Sequence, residues 1–186
     1  PQLMRTKANE DILWREVLKE NLYVVCMSPM AVHITNRVLR GNHTDWHTNV
    51  CYIDNLTNKI KEDIDSVVSV ISNSKIFNEN NSNNNMKFTA IVGNPPYQQV
   101  VSQKDSSNGQ KVSVSIFHHF QMVSDKLGRY TSLIYPAARW IHRSGKGMEQ
   151  FGMNQMNDPH LSLLKFYPIS TDIFKDVGIA DGLSIV

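Results

Sequence analysis

IVGNPPYQQV, residues Ile91–Val100, breaks an apolar run with two consecutive prolines. An apolar run enters it, Asn94-Pro95-Pro96-Tyr97 stops that run, and the polar Gln98 and Gln99 follow at once. Pro95 and Pro96 hold φ at about −65° and donate no backbone N–H, so the strand KFTAIVG (Lys87–Gly93) must end there. A residue before proline is pushed to an extended conformation, which turns the Asn94 amide oxygen outward. That oxygen and a freed proline carbonyl make two acceptors, matched to an NH2 group offering two donors. Tyr97 adds a flat face for a planar ring, with stacking worth about 1–3 kcal/mol per base. Two acceptors gripping the hydrogens of an exocyclic amine favour its pyramidalisation and aim its lone pair at an electrophile, which is orientation and preorganised electrostatics. The plainer alternative is a rigid turn that only ends a strand.

Outward from this stretch, apolar runs alternate with helical patterns. A helix is predicted from about Asn9 to Glu20, with Ile12, Leu13, Val17 and Leu18 on one face. LYVVCM (Leu22–Met27) reads as a strand buried on both faces. Ser28-Pro29 supplies an N-cap and a first-turn proline for a helix ending at Gly41. NVCYID (Asn49–Asp54) is a second buried strand. KIKEDIDSVVSVIS is helical or irregular, and the asparagine-rich tract within 72–86 reads as a flexible surface insertion. Downstream come a polar loop (Val101–Lys111), a helix (about Val114–Lys126) and a strand (Arg129–Pro136). A helical stretch broken near Ser144-Gly145 follows, then a strand (Leu161–Pro168) and the final GLSIV. This order predicts an α/β fold with a mostly parallel sheet flanked by helices. Ligands of such sheets sit beyond the carboxyl ends of the strands. The tips to watch are therefore Cys26-Met27-Ser28, Asp54 and Asn94–Tyr97, all expected on one edge.

The bulk numbers are those of an ordinary globular chain: 186 residues, 41% hydrophobic, 19% charged, net charge +2. One domain of this size buries roughly 70% of its unfolded surface. A near-neutral total neither demands nor excludes nucleic acid, since a local basic groove is invisible in it. Two cysteines inside apolar runs, Cys26 and Cys51, fit a reducing compartment rather than a disulfide framework. No apolar run approaches membrane-spanning length, so a soluble cytoplasmic protein is expected. The start at Pro1 and the stop within an apparent strand lead to the expectation of a partial domain, residues 1–186 of something longer.

VGNPPYQ after a strand resembles motif IV of the S-adenosylmethionine-dependent amino-group methyltransferases. LYVVCMSPMAVHITNRVLRG, then YIDNLT, then that motif, resemble the adenine-specific DNA methylases of bacterial restriction–modification systems. SIFHHF, SLIYPAARWIHRSGKGMEQF and FYPISTDIFKDVGIADG look like the stretch that follows in type II members. The resemblance runs from about Leu18 to Val186. It implies a Rossmann-like methyltransferase fold, S-adenosylmethionine as cofactor and double-stranded DNA as partner. Endonuclease and target-recognition domains would lie outside this chain. By resemblance, Asn94, Pro95, Pro96 and Tyr97 hold a flipped adenine, which leaves the duplex at a cost of a few kcal/mol. Asp54 matches the acid that bonds the cofactor's adenine amino group; its plainer role is a turn or cap before Asn55. Cys26, Met27, Asn55 and Gly93 are the other implied cofactor positions. Protein-glutamine and ribosomal-RNA methyltransferases share the tetrapeptide, and a non-catalytic remnant of a DNA methylase is the further alternative.

Two departures from the pattern stand out. The glycine-containing turn after the family's first strand has no counterpart before Leu22, so that strand is expected to be missing. Cys26 occupies the tip where the family carries an acid for the ribose hydroxyls, and a thiol does not replace a carboxylate as acceptor. For DNA, Lys104 and Lys111 in the polar loop suit backbone contacts or simple solvation. Arg139, Trp140, Arg143 and Lys146 interleave charge with an aromatic, as a nucleic-acid groove does; the alternative is a helix cap with Trp140 in the core. His43, His47 and Cys51 have a metal-like spacing but lie in a strand context, and no metal is expected.

Overall fold

The structure, a computed structural model, describes residues 7–78, 86–102, 112–143 and 147–186. Its residues fall into two compact units, 1–86 and 87–186.

The first unit runs α1 (Lys7–Glu20), β1 (Tyr23–Cys26), α2 (Pro29–Arg40), β2 (Asn49–Tyr52), α3 (Leu56–Glu62) and α4 (Ile64–Ser72). β1 and β2 pair in parallel, with Cys26 opposite Tyr52. The predicted boundaries of α2 hold for the predicted reasons. The Ser28 hydroxyl accepts from the Ala31 N–H at 3.1 Å, Pro29 opens the first turn, and Gly41 closes the helix at φ +57°. Asn49 is buried and turns its amide nitrogen to the carbonyls of Leu18, Lys19 and Leu22, tying the end of α1 to the start of β2. Val50, Cys51, Leu56, Ile60, Val67 and Ile71 are buried. Of residues 72–86, Ser72 and Phe77 are buried, and Phe77 sets its ring edge-on to Tyr23 at 5.4 Å. Residues 79–85 lie outside the described residues.

The second unit runs β3 (Phe88–Gly93), β4 (Gln98–Ser102), β5 (Val112–Ser115), α5 (Phe117–Leu127), β6 (Gly128–Pro136), α6 (Ala138–Ile141), α7 (Glu149–Asn157), β7 (Lys165–Tyr167) and β8 (Leu183–Ile185). β3, β6, β8 and β7 form one sheet in that order. β3–β6 is parallel, with Gly93 opposite Leu133, while β8 runs antiparallel to both β6 and β7. The α/β class is as expected, but the sheet is mixed rather than mostly parallel, because the chain enters β8 from the opposite end. A further difference is that β4 and β5 form an antiparallel hairpin of their own. The polar residues of the expected loop, read without their partners, conceal it. Burial also differs: β2 is enclosed along most of its length, whereas Val92 in β3 remains 77% exposed.

Phe117, Leu133, Tyr135, Trp140 and Met148 form the core of this unit. Phe117 and Tyr135 stack at 4.8 Å. Their polar atoms are satisfied in series: Trp140 Nε1 donates to Ser184 Oγ (3.2 Å), Ser184 donates to the Tyr135 carbonyl (3.0 Å), and the Tyr135 hydroxyl donates to Gln121 Oε1 (3.3 Å). Gly152 lies where any Cβ would run into the Trp140 carbonyl oxygen. Gly152→Ala should therefore destabilise the protein by about 2 kcal/mol, through forced separation of α6 and α7. Urea denaturation followed by tryptophan fluorescence measures it, and an unchanged midpoint would contradict this packing.

Candidate functional site

Parallel pairing places the candidate residues at strand tips. In the first unit, Cys26-Met27 follow β1 and Asp54-Asn55 follow β2, at the carboxyl edge of the pair. Asp54 is exposed and accepts a hydrogen bond from the Tyr52 hydroxyl at 2.8 Å. That bond is the main reason the Tyr52 hydroxyl is held above its usual pKa. Asn55 takes the left-handed conformation at φ +53° and accepts from the Asn58 side chain at 2.7 Å. Met27 is exposed. Cys26 is buried, and its sulfur lies 3.7 Å from Thr35 Oγ1, within the unit's own packing.

In the second unit, Asn94–Tyr97 follow β3 and Arg139 follows β6. Asn94 is exposed, while Pro95, Pro96 and Tyr97 are half-buried. A Cβ at Gly93 would make only ordinary contact with Leu133, so no close approach in this structure requires glycine there. The Tyr97 ring packs against the Phe117–Trp140 core cluster. Its hydroxyl is buried without a hydrogen-bond partner among the described residues, and burial raises its pKa. The Tyr97 carbonyl accepts from the Ile116 N–H at 3.1 Å, which joins the turn to the start of α5.

The basic residues separate. Trp140 is fully buried, so the groove reading of this aromatic is corrected to a core role: its ring fills the space under α7 and its N–H is bound by Ser184. Arg139, its neighbour, is engaged inside the unit. Its Nε donates to Asp181 Oδ2 at 2.6 Å and Nη1 donates to Ser115 Oγ at 3.3 Å. In the amide orientation that satisfies both atoms of Gln98, its oxygen accepts from Nη1 (3.0 Å) and Nη2 (3.1 Å), and its nitrogen donates to Ser113 Oγ (3.0 Å). Arg143 is exposed, in the left-handed region at φ +56°. Lys104, Lys111 and Lys146 lie outside the described residues. Nothing in the sequence joins Gln98, Ser115 and Asp181 to Arg139, because the partners come from separate elements up to 42 residues away.

His43 and His47, of the metal-like spacing, make local contacts. His43 stacks on Trp46 at 3.9 Å, and His47 bonds the Asn49 side chain at 3.1 Å. Cys51 accepts from Ser74 at 3.6 Å. Among the described residues, no three His, Cys, Asp or Glu side chains gather as metal ligands, and no helix is long and apolar enough to cross a membrane. His118 is held down to about 4 by burial and, secondarily, by His119.

A family model described as Eco57I restriction-modification methylase matches residues 20–174, more than half of the chain. That span takes in both sets of strand tips and Arg139. No curated protein and no solved structure matches.

Two outcomes follow from these environments. Tyr97→Phe removes a buried hydroxyl that has no described partner, so stability should stay level or rise by up to about 1 kcal/mol in a denaturant titration. His118 stays neutral when folded down to about 4, whereas the unfolded ring takes its proton near 6.5. The unfolded state thus binds more protons between those values. This contribution to stability is complete above the unfolded value and is lost as pH falls toward about 4. The difference in urea midpoint between wild type and His118→Gln should shift across that window and be constant above it.

Proposed function

Because the chain belongs to the Eco57I restriction-modification methylase family, we propose that it is a methyltransferase of a restriction–modification system acting on the N6 amino group of adenine in double-stranded DNA. The observation that carries this reading is the turn after β3. An exposed Asn94 stands at a strand's carboxyl tip, followed by two prolines that donate no backbone N–H and lie outside the strands. Asn94 and the Pro95 carbonyl would accept the two amino hydrogens, while Pro96 fixes the backbone beneath them. Tyr97 would flank the extruded base with the ring that packing on the core cluster holds in place. A general base is not required, since the amine's proton leaves after the new bond forms.

The cofactor we assign is S-adenosylmethionine, which when bound supplies an electrophilic methyl carbon. The exposed Asp54 carboxylate suits its adenine amino group, with Met27 and Asn55 as flanking positions; Gly93 is kept as a proposed cofactor position by resemblance alone. Cys26 fits less well: it is buried against Thr35 and offers the ribose no carboxylate. That observation favours a second reading, in which this chain is a remnant that keeps the adenine turn without holding cofactor. The fold we assign is the Rossmann-like methyltransferase sheet lacking its first strand. Among the described strands, β1 pairs with β2, and β3 pairs with β6. Arg143, with Lys104, Lys111 and Lys146, remains in the proposed set of phosphate contacts. Endonuclease and target-recognition domains are proposed as partners beyond this chain.

One assay separates the readings: incubate the protein and methyl-labelled S-adenosylmethionine with DNA, with ribosomal RNA and with a cell-protein extract in parallel, then identify the labelled product. We expect N6-methyladenine, and a loss of about 10²-fold or more in rate for Asn94→Ala with cofactor affinity retained. Label in protein or RNA would favour the glutamine or ribosomal-RNA alternative. No transfer, together with no calorimetric binding of S-adenosylmethionine, would establish the remnant.

A further inference from the structure

The prolines that free acceptors at the turn also deprive it of anchors. Pro95 and Pro96 contribute no N–H, so the turn is held from its ends. Upstream, Gly93 lies opposite Leu133 in the parallel ladder. Downstream, the Tyr97 carbonyl is bound by the Ile116 N–H, and the next side chain, Gln98, meets the Arg139 guanidinium through both terminal nitrogens. Arg139 is in turn fixed by Asp181 at Nε and by Ser115 at Nη1. The backbone reinforces this, because Ala138 N–H donates to the Asp181 carbonyl (3.0 Å) and Ala137 N–H to the Gly182 carbonyl (3.3 Å). One planar cation therefore joins β4, β5, the start of α6 and the loop before β8. Its charge is matched by Asp181, and its donors are directed inward rather than toward a phosphate.

We propose that Arg139 is a positioning residue that holds the Asn94–Tyr97 turn in register through Gln98; this rests on reading that turn as the amino-group site. The Tyr97 hydroxyl has no described partner of its own, so the ring's placement depends on core packing and on its immediate neighbours. The fork geometry is essential. A lysine reaches Asp181 as a point charge but does not converge two N–H groups on the Gln98 oxygen while also holding Asp181 and Ser115.

The test uses the full chain with Arg139→Lys, Asp181→Asn and Asn94→Ala. Three quantities are followed: thermal midpoint, amide exchange over residues 97–100, and fluorescence-anisotropy titration with an end-labelled, adenine-containing single-stranded oligodeoxynucleotide. Arg139→Lys should keep the midpoint within about 5 °C, since the Asp181 contact survives. The same variant should speed exchange at Gln98 and Gln99, and weaken probe binding about tenfold, as expected for a lost hydrogen bond to a charged group. Asp181→Asn should show the same pattern more weakly, and Asn94→Ala should lose binding with exchange unchanged. Faster exchange with undiminished binding would make Arg139 merely structural and overturn the proposal. So would weaker binding with unchanged exchange, which would place Arg139 on the nucleic acid itself. Should the wild-type protein fail to bind the probe, with Asn94→Ala no different, the amino-group reading fails first and takes this role with it; that failure is visible without any Arg139 variant.

Discussion

Trp140 is fully buried and gives its one polar hydrogen to Ser184, and the placement of the second unit's site residues depends on that anchor. An indole N–H left unsatisfied in a core costs about 1–3 kcal/mol. Ser184 removes that cost and relays the bond to the Tyr135 carbonyl, joining α6, β8 and β6 through side chains. Once the indole is fixed, the adjacent Arg139 must leave the helix on another side. There it meets Asp181, Ser115 and Gln98 together. The same two residues thus face opposite environments, one holding the core and the other the turn that follows β3.

The two strand tips of the first unit show how one scaffold carries unequal chemistry. β1 and β2 deliver Cys26 and Asp54 to a common edge. The carboxylate stays in solvent, where the Tyr52 hydroxyl steadies it, while the thiol turns toward Thr35. A small, weakly polar side chain is readily buried, whereas a carboxylate at that position would resist burial without a charged or hydrogen-bonded partner. The cofactor reading therefore draws on Asp54 and finds little at Cys26.

The strand end before Asn94 and the bounds of α2 are legible in the residue order. Asn94-Pro95-Pro96-Tyr97 ends a strand because two prolines leave no alternative. Ser28-Pro29 and Gly41 bound a helix because local capping is decided within a few residues. The hairpin of β4 and β5 was not legible, since its strands are short, polar and meaningful only as a pair. The same limitation applied to Trp140 and Arg139: an aromatic beside a cation suits a nucleic-acid groove and a buried anchor equally, and the choice depends on what lies 42 and 44 residues downstream.

Local residue order sets where strands stop and where helices are capped. These follow from backbone geometry and need no distant partner. The tertiary structure alone decided which side chains remain available for chemistry. It withdrew Trp140 into the core, bound Arg139 to Gln98, Ser115 and Asp181, buried Cys26 and left Asp54 and Asn94 exposed. The physical reason is that burial and ion pairing depend on neighbours brought together from far along the chain, and a linear pattern carries no distance between them.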